Sequence, residues 1–319
     1  MALVNQTVTV EAVRQRLSGR RVDAGGVLFQ ALLILALALS VLVLVVLLVD
    51  VISGAWSILT TRLGSFFSGT LQSQPEAAGI SQGLRGSLYI GIFVVVLAFP
   101  IGIGAGIYLE EYAPRSRFTQ FIDINIRNLA GVPSVVYGIL GLAIFVGLLA
   151  TLPDWLGGGP LTGGRTVMSA GITLAILVLP IVIITSAEAI RAVPDSIREA
   201  GFGVGATRWE VVRSHVLPYA APGILTGTVL SLARALGEAA PLILVGAVTG
   251  RLASGGGGVF EALQERFTAL PIIITTWAGR PQSEFQDSLA PAAIVVLLAV
   301  VLFANTAAIL LRNRYEKKR

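Results

Sequence analysis

The chain has 319 residues, of which 55% are hydrophobic and only 13% charged, and its mean hydropathy is +0.82. A bilayer core about 30 Å thick needs about 20 apolar residues for each helical span, so this composition predicts a membrane protein with several spans and excludes a large fused soluble domain such as an ATPase or receptor module. The chain has no cysteine and one histidine, His215, which excludes a disulfide framework, a thiolate nucleophile and a cysteine or histidine metal cluster. The net charge of +5 comes from basic residues between apolar runs, so membrane orientation explains it better than binding to nucleic acid.

Apolar runs long enough to span a bilayer predict an all-α, polytopic protein of the cell membrane with six transmembrane helices. The runs are Val27–Val49, Leu84–Tyr108, Leu129–Leu149, Val167–Ile184, Ile224–Val248 and Leu289–Leu311. A seventh apolar stretch, Leu270–Trp277, is too short to span and contains Pro271, so we expect a surface or partly inserted segment. The predicted divisions are an N-terminal segment 1–26, a transmembrane domain 27–311 with its core at 79–248, a polar loop at 188–218 and an external loop at 249–288, and a basic tail 312–319.

The distribution of lysine and arginine predicts the orientation of the chain. Sixteen of the 23 basic residues lie in the N-terminal segment, in the loops that contain Arg117 and Arg208, and in the C-terminal tail, whereas six lie in the alternate loops. Arg234 is the remaining one and falls inside a predicted span. Because cytoplasmic loops of membrane proteins carry an excess of lysine and arginine, we expect both termini in the cytoplasm.

The polar loop between the fourth and fifth spans carries helix signals of its own. Ser196 precedes Glu199 by three residues and Thr207 precedes Glu210 by three, so each pair predicts a capping box at the start of a short helix. Three glycines between the two boxes permit a tight turn, and Pro218 is expected to end or bend the second helix. The loop therefore predicts a helix–turn–helix that a soluble partner protein could bind.

The spacing within this loop resembles a family motif. Glu199-Ala200-Gly201, three residues, Gly205, nine residues and then His215-Val216-Leu217-Pro218 is similar to the EAA loop of ABC importer permeases, with Gly201 and His215 where that family usually has alanine and an aliphatic residue. In that family the loop forms a coupling helix that docks into a cleft of a cytoplasmic ATPase. Trp209 is either an anchor for that partner or a residue of the membrane-interface belt. The resemblance implies that the following residues couple the chain to an ATPase: Glu199, Ala200, Gly201, Gly205, Trp209, Leu217 and Pro218.

Other segments resemble one particular group of ABC importer permeases. Three stretches look like the A-type permease subunits of phosphate ABC importers, the PstA family: Phe99-Pro-Ile-Gly-Ile-Gly-Ala-Gly-Ile-Tyr-Leu-Glu-Glu-Tyr-Ala, Asn128-Leu-Ala-Gly-Val-Pro-Ser and Ala233-Arg-Ala-Leu-Gly-Glu-Ala-Ala-Pro-Leu. The resemblance covers most of residues 79–248 and implies the type I ABC importer permease fold. It also implies an assembly with a homologous C-type permease subunit, two copies of a cytoplasmic ATPase, an external phosphate-binding protein and membrane lipid.

The same resemblance assigns the chemistry of ATP to a partner chain. This sequence has no glycine-rich phosphate loop ending in Lys-Ser or Lys-Thr, so ATP is expected to be bound and hydrolysed by the partner ATPase. The chain is therefore expected to be a non-hydrolytic permease subunit, with no cofactor, metal or catalytic residue of its own.

Arg234 and Glu238 are the ionisable residues that lie well inside a predicted span. Four apart on a helix, they share a face and can pair. A charge at the bilayer centre costs roughly 2.5–3.5 kcal/mol on insertion scales, so such residues usually face a bundle interior or a cavity and mark a substrate path. The pair is interpreted either as a salt bridge that fixes helix packing or as a substrate-binding pair, in which the planar fork of guanidinium donors suits a tetrahedral oxyanion.

Other residues near the spans receive plainer interpretations. Glu110 and Glu111 follow the second span and are expected to form a solvated boundary. Pro100, Pro180 and Pro241 lie inside or at the ends of apolar runs, where they either kink the helices in the ordinary way or mark helices that line a pathway.

The function that follows from these observations is a permease subunit of an ATP-driven importer that moves inorganic phosphate into the cytoplasm by alternating access. One alternative is an ABC permease of the same architecture for another oxyanion or small polar solute, because fold and coupling loop do not fix the substrate. Another is a transporter or channel that works without ATP, against which the EAA spacing argues.

Overall fold

The computed structural model describes residues 24–151, 153, 163–248 and 263–316. Within these ranges the chain is helical, and six of its helices are long and apolar enough to cross a membrane. In chain order the helices are α1 (Ala24–Thr61), α2 (Leu63–Ser68), α3 (Ser81–Ile107, continued by a π turn Tyr108–Tyr112), α4 (Arg117–Ala130), α5 (Ser134–Thr151, with a π turn Gly141–Val146), α6 (Val167–Arg191), α7 (Asp195–Gly203), α8 (Arg208–Gly237, with a π turn Val212–Val216), α9 (Ala240–Val245), α10 (Leu270–Ala278) and α11 (Ala290–Glu316, preceded by a π turn Phe285–Leu289). The prediction of an all-α protein with six transmembrane helices is confirmed for this part of the chain.

The leading compact unit of the chain ends at Asp50 and contains the first part of α1. Every described residue of this unit, 24–50, is exposed, and leucine, valine, isoleucine and alanine dominate its sequence. Because an apolar helix that buries none of its side chains within its own chain needs a hydrocarbon or protein environment, this half of α1 has the surface expected of a membrane span. The span predicted at Val27–Val49 is therefore found inside a longer helix.

The second compact unit, Val51–Arg319, is built around α6. Helices α3 and α8 pack against α6 at glycines, because a β-carbon added at Gly102 would lie 2.6 Å from Val182 Cγ1 and one added at Gly227 would overlap Thr185 Oγ1. Small residues let membrane helices approach closely when lipid provides no hydrophobic drive for them to associate. These contacts bring together the end of α3, the end of α6 and the beginning of α8, and we call this end of the unit the α7 end.

Two of the predicted spans are broken. The run predicted as Leu129–Leu149 is divided: Leu129 belongs to α4, the chain leaves the helix around Gly131 and Pro133, and α5 begins at Ser134. The run predicted as Ile224–Val248 starts earlier, at Arg208, and its helix ends at Gly237 before the short helix α9. Pro133 and Pro241 lack a backbone N–H and precede or begin new helices, which explains both breaks.

The seventh apolar stretch, Leu270–Trp277, is a buried helix, so of the two predicted alternatives the surface segment is wrong and the partly inserted segment agrees with the structure. Leu270, Ile272 and Trp277 of α10 are at most 1% exposed, and α10 packs against α3 and α11. A β-carbon at Gly86 would overlap the carbonyl oxygen of Thr268, so glycine in α3 lets the chain pass close by. Nine residues are too short to span a bilayer, but an inserted segment is tolerated where protein surrounds it.

Candidate functional site

The polar loop forms the predicted helix–turn–helix, although one of its two caps differs from the prediction. At the second helix, Thr207 Oγ1 accepts from the backbone N–H of Glu210 at 3.4 Å, and Glu210 Oε2 accepts from the N–H of Thr207 at 2.7 Å, so this capping box is confirmed. The box predicted at Ser196 and Glu199 is wrong, because α7 already begins at Asp195 after Pro194 and Ser196 lies inside the helix. Proline before the first turn and an acidic residue in it favour the earlier start.

The turn between the two helices depends on two glycines with different surroundings. Gly205 has φ +83°, a conformation that glycine adopts without strain, and a β-carbon there would meet open space. Gly201 is buried, and a β-carbon there would lie 2.8 Å from Val211 Cγ2, so α7 packs closely on the start of α8. Pro218 does not end the second helix, as α8 passes through a π turn at Val212–Val216 and continues to Gly237.

The outer face of this motif is apolar and exposed. Phe202, Val204 and Trp209 are 48%, 85% and 54% exposed, and Glu199 and Ala200 are exposed beside them. We call these five residues the coupling surface. Exposed apolar patches with a polar rim typically mark protein-binding sites, and tryptophan is enriched among residues that dominate binding energy.

The residues predicted to contact an ATPase differ in their exposure. Glu199, Ala200, Gly205, Trp209 and Pro218 are exposed, whereas Gly201 is buried and Leu217 is half-buried against the core below the motif. Phe202 and Val204 were not predicted, although both lie between the glycines of the motif and are too apolar for a solvated turn.

Two acidic residues at the end of α3 are paired with arginines of the polar loop. Glu111 is 6% exposed and accepts hydrogen bonds from Arg198, and Glu110 accepts from Arg191 Nε at 3.2 Å. The prediction of a solvated boundary is therefore wrong for Glu111. No local pattern predicts this contact, because Arg198 lies 87 residues further along the chain.

The membrane-embedded pair forms where α8 ends. Arg234 is in the last turn of α8, and Glu238 caps it with extended backbone, φ −80° and ψ 119°. Arg234 Nε lies 3.4 Å from Glu238 Oε1, and the two side chains are 41% and 21% exposed. The pair is therefore formed as predicted, but at a helix end rather than in mid-helix, and it is long and open enough for the guanidinium to meet a further anion.

The other broken helix lies beside this one. A β-carbon at Gly138 of α5 would lie 2.7 Å from Pro241 Cα, so the helices that follow the two breaks are in contact. The break between α4 and α5 is bridged by Tyr137, whose hydroxyl donates to the carbonyl of Leu129 at 2.8 Å. Broken helices at membrane depth are tolerated where they are buried in protein or line a cavity, so this arrangement is typical of a polar path.

The residues that the structure describes contain no group of three or more His, Asp or Glu side chains placed to hold a metal ion. The chemistry of the two sites comes from other groups. The coupling surface offers apolar and aromatic contacts, and the Arg234–Glu238 pair offers hydrogen-bond donors and one acceptor to a small anion.

Comparison with known proteins gives a family match. Residues 98–318 match the family described as binding-protein-dependent transport system inner membrane component. The chain is 35% identical over 182 residues to the probable ABC transporter permease protein YqgI of Bacillus subtilis, and 33% identical over 203 residues to the phosphate transport system permease protein PstC 2 of Mycobacterium tuberculosis. These alignments cover 56% and 59% of this chain, and the chain spans only 58% and 62% of the length of those relatives.

Longer alignments and solved structures agree with that match. The chain is 30% identical to the phosphate transport system permease protein PstA of Yersinia pestis, over 81% of this chain and 79% of the relative. Its fold is shared with a chain of a bacterial alginate ABC transporter, with a TM-score of 0.61, 17% identity and coverage of 88% and 93%. A chain of the MetNI methionine ABC transporter gives a TM-score of 0.55 at 17% identity, with coverage of 76% and 99%.

Proposed function

Because this chain belongs to the family of binding-protein-dependent transport system inner membrane components, we propose that it is the permease subunit of an ATP-driven importer of inorganic phosphate. The observation that carries the proposal is the coupling surface: an exposed apolar helix–turn–helix, with EAA-like spacing, at the end of the bundle where α3 and α6 finish and α8 begins. A surface with this spacing fits a soluble ATPase, which the resemblance to importer permeases implies.

The proposed mechanism assigns ATP to the partner. With no phosphate loop in its sequence, the chain receives movement at the coupling surface from an ATPase that binds and hydrolyses ATP. Two ATPase copies, a homologous C-type permease and an external phosphate-binding protein complete the proposed assembly. Closure of the ATPases draws the two coupling surfaces together and tilts the helices above them, which alternates access to the path between the two permeases.

The phosphate assignment is supported by relatives and by one pair of residues. Relatives named PstA and PstC are matched at about equal identity, so their names support phosphate for either type of permease, and the A-type assignment rests on the sequence motifs. The exposed fork of Arg234 suits the oxygens of a tetrahedral anion. Glu238 can accept a hydrogen bond from a phosphate that keeps a proton, and a site built to bond a substrate hydroxyl rejects the analogue without one.

The proposal is tested by uptake of radiolabelled phosphate into proteoliposomes that contain the chain with its ATPase, second permease and binding protein. We expect ATP-dependent uptake that excess unlabelled phosphate abolishes and excess sulfate leaves intact. Uptake of radiolabelled sulfate, with none of radiolabelled phosphate, by the same proteoliposomes would reassign the substrate to another oxyanion, and phosphate uptake without ATP would overturn the importer class.

A double variant tests the role of the pair. If Arg234 and Glu238 are only structural, Arg234→Leu combined with Glu238→Leu should assemble and transport, because replacing both members of an ion pair with apolar residues is often neutral. We expect instead an assembled complex without uptake, and reduced uptake for Arg234→Lys, which keeps the charge and loses the fork. Near-normal uptake by the double variant, normalised to assembled complex, would remove the pair from the path.

A further inference from the structure

Arg198 makes more contacts than one ion pair requires. Its Nε and Nη2 donate to Glu111 Oε1 at 3.0 and 2.8 Å, and the same Nη2 donates to the carbonyl of Ile190 at 3.0 Å. Its Nη1 donates to the carbonyl of Val193 at 2.6 Å and to Asp195 Oδ1 at 3.2 Å. A guanidinium carries five N–H donors in a fixed fork, and these five bonds use all of them.

Two of the five bonds reach an element 87 residues away in sequence, and the other three go to residues within eight positions of Arg198. Glu111 lies on the π turn that continues α3, Ile190 lies in the last turn of α6, and Val193 lies in the link to α7. Asp195 is the first residue of α7, and Arg198 itself lies one turn further along that helix. One side chain therefore holds α7 to the ends of two membrane helices.

Burial makes this connection rigid. The side chains of Arg198 and Glu111 are 17% and 7% exposed, so breaking the pair leaves a poorly solvated charge, and removing one partner of a buried pair is strongly destabilising. The neighbouring pair, Arg191 and Glu110, joins α6 to the same π turn, but the side chain of Arg191 is 57% exposed. Ion pairs with an exposed partner contribute little to stability.

We propose that Arg198 is a positioning residue that makes α7 and the ends of α3 and α6 one rigid body, so that a displacement imposed on the coupling surface moves both helices together. We call this rigid connection of α7 to the ends of α3 and α6 the joint. The source of the displacement rests on the proposed function, but the rigidity of the joint does not. Arg191 and Glu110 provide a comparison pair: it joins α6 to the same π turn, but the Arg191 side chain is exposed and, within the part of the chain that the structure describes, donates to Glu110 and to no carbonyl.

Spin labels test the rigidity in the full chain without any partner. The chain has no cysteine, so Tyr108→Cys and Val204→Cys, at positions 57% and 85% exposed, place one label on the π turn and one on the turn after α7. In lipid nanodiscs we expect a narrow distance distribution for the double-cysteine chain and for its Arg191→Lys variant, and a clearly broader one for Arg198→Lys, which keeps the charge and loses the fork. Equal widths in the two lysine variants would overturn the joint.

A second variant covers the case in which Arg198→Lys fails to fold. Glu111→Gln keeps the shape and one acceptor oxygen but removes the charge, and we expect it to broaden the same distribution, whereas Glu110→Gln should not. A narrow distribution in Glu111→Gln would overturn the joint in the same way.

The coupling role is tested in the complete transporter by measuring how much phosphate is taken up for each ATP hydrolysed. We expect Arg198→Lys to keep its ATPase bound and active while uptake per ATP falls by at least about tenfold, because α7 then moves without its helices, and Arg191→Lys to stay close to the original. Parallel loss of ATPase binding and uptake would indicate a structural role only. If the unaltered complex moves no phosphate, the proposed function fails, while the spin-label distances still show whether the joint is rigid.

Discussion

Glycines of the polar loop show that neighbouring residues of one type can be required for different reasons. Gly201 is needed for space, because Val211 lies against it, whereas Gly205 is needed for its backbone conformation and has open space around it. Gly203, between them, ends α7 with neither constraint. A substitution at each position therefore has a different expected cost.

Gly205→Ala is expected to loosen the turn without blocking it. A left-handed conformation costs an L-residue about 1 kcal/mol relative to glycine, so local opening of the Thr207–Glu210 capping box should become about fivefold more frequent. Amide hydrogen exchange at residues 207–211 measures this directly. Gly203→Ala is the matched control and should exchange no faster than the original, because alanine favours the helix there. Equal exchange in the two variants would contradict the conformational argument.

The residues that sequence reasoning placed correctly are those whose partners lie close by in the chain. The capping box of Thr207 and Glu210 and the pairing of Arg234 with Glu238 involve partners three and four residues apart. Glu111 could not be placed, because its burial depends on Arg198 in a loop 87 residues away. The cap predicted at Ser196 shows that even a local pattern fails when a stronger signal, Pro194, stands just before it.

Among the helices, the contact between α3 and α6 depends on a row of small residues. A β-carbon at Gly102 would lie 2.6 Å from Val182, and one at Gly106 would lie 2.9 Å from Ser186 Cβ and 3.1 Å from the backbone nitrogen of Ala187. Gly104, between them, faces away and has no atom within 4 Å of the corresponding position. The four-residue spacing places the two packed glycines on one face of α3.

Gly106→Ala is expected to destabilise the bundle by about 1–3 kcal/mol, because the added methyl group meets backbone as well as side chain and α6 must move. Thermal unfolding of the purified chain in nanodiscs should show a lower midpoint for this variant. Gly104→Ala should leave the midpoint unchanged or raise it, since alanine is the better helix former. A midpoint for Gly106→Ala equal to that of Gly104→Ala would show that α3 and α6 do not pack this closely.

Hydropathy found the helices more reliably than it found their breaks. An apolar window continues through Gly237–Pro241 and through Gly131–Pro133, because the strongly apolar residues on either side outweigh glycine, proline and Glu238 in its average, and yet the helices stop there. The position of α10 stayed open between two alternatives because a short apolar run has no period that distinguishes a surface segment from an inserted one. Proline residues and the short length of the run were the available signals. They indicated that a helix is interrupted but not where the following segment lies in the fold.

In the described part of the second compact unit, four arginines lie at two opposite ends, as the alternation predicted from sequence expects. Arg191, Arg198 and Arg208 lie at the α7 end, and Arg208 stacks over the ring of Tyr112 at 5.3 Å. At the other end, Arg62 donates to the carbonyls of Pro75 and Ala78 at 2.9 Å, before α3 begins. The charge excess at the α7 end predicts that this end faces the cytoplasm.

Labelling of single cysteines tests this orientation, and the absence of native cysteine removes background. Glu76 is exposed in the turn before α3, and Val204 is exposed on the coupling surface, so Glu76→Cys and Val204→Cys report on opposite ends. In right-side-out vesicles that contain the chain without its partners, an impermeant maleimide should label Glu76→Cys at once and Val204→Cys only after the vesicles are opened, because the excess of arginine holds the α7 end inside. A cysteine appended after Arg319 should behave like Val204→Cys. Labelling of Val204→Cys in sealed vesicles would place the coupling surface outside, where no ATPase has access to ATP, and would overturn both the topology and the proposed coupling. If Val204→Cys and the appended cysteine were labelled from opposite sides, the chain would cross the membrane an odd number of times after α7.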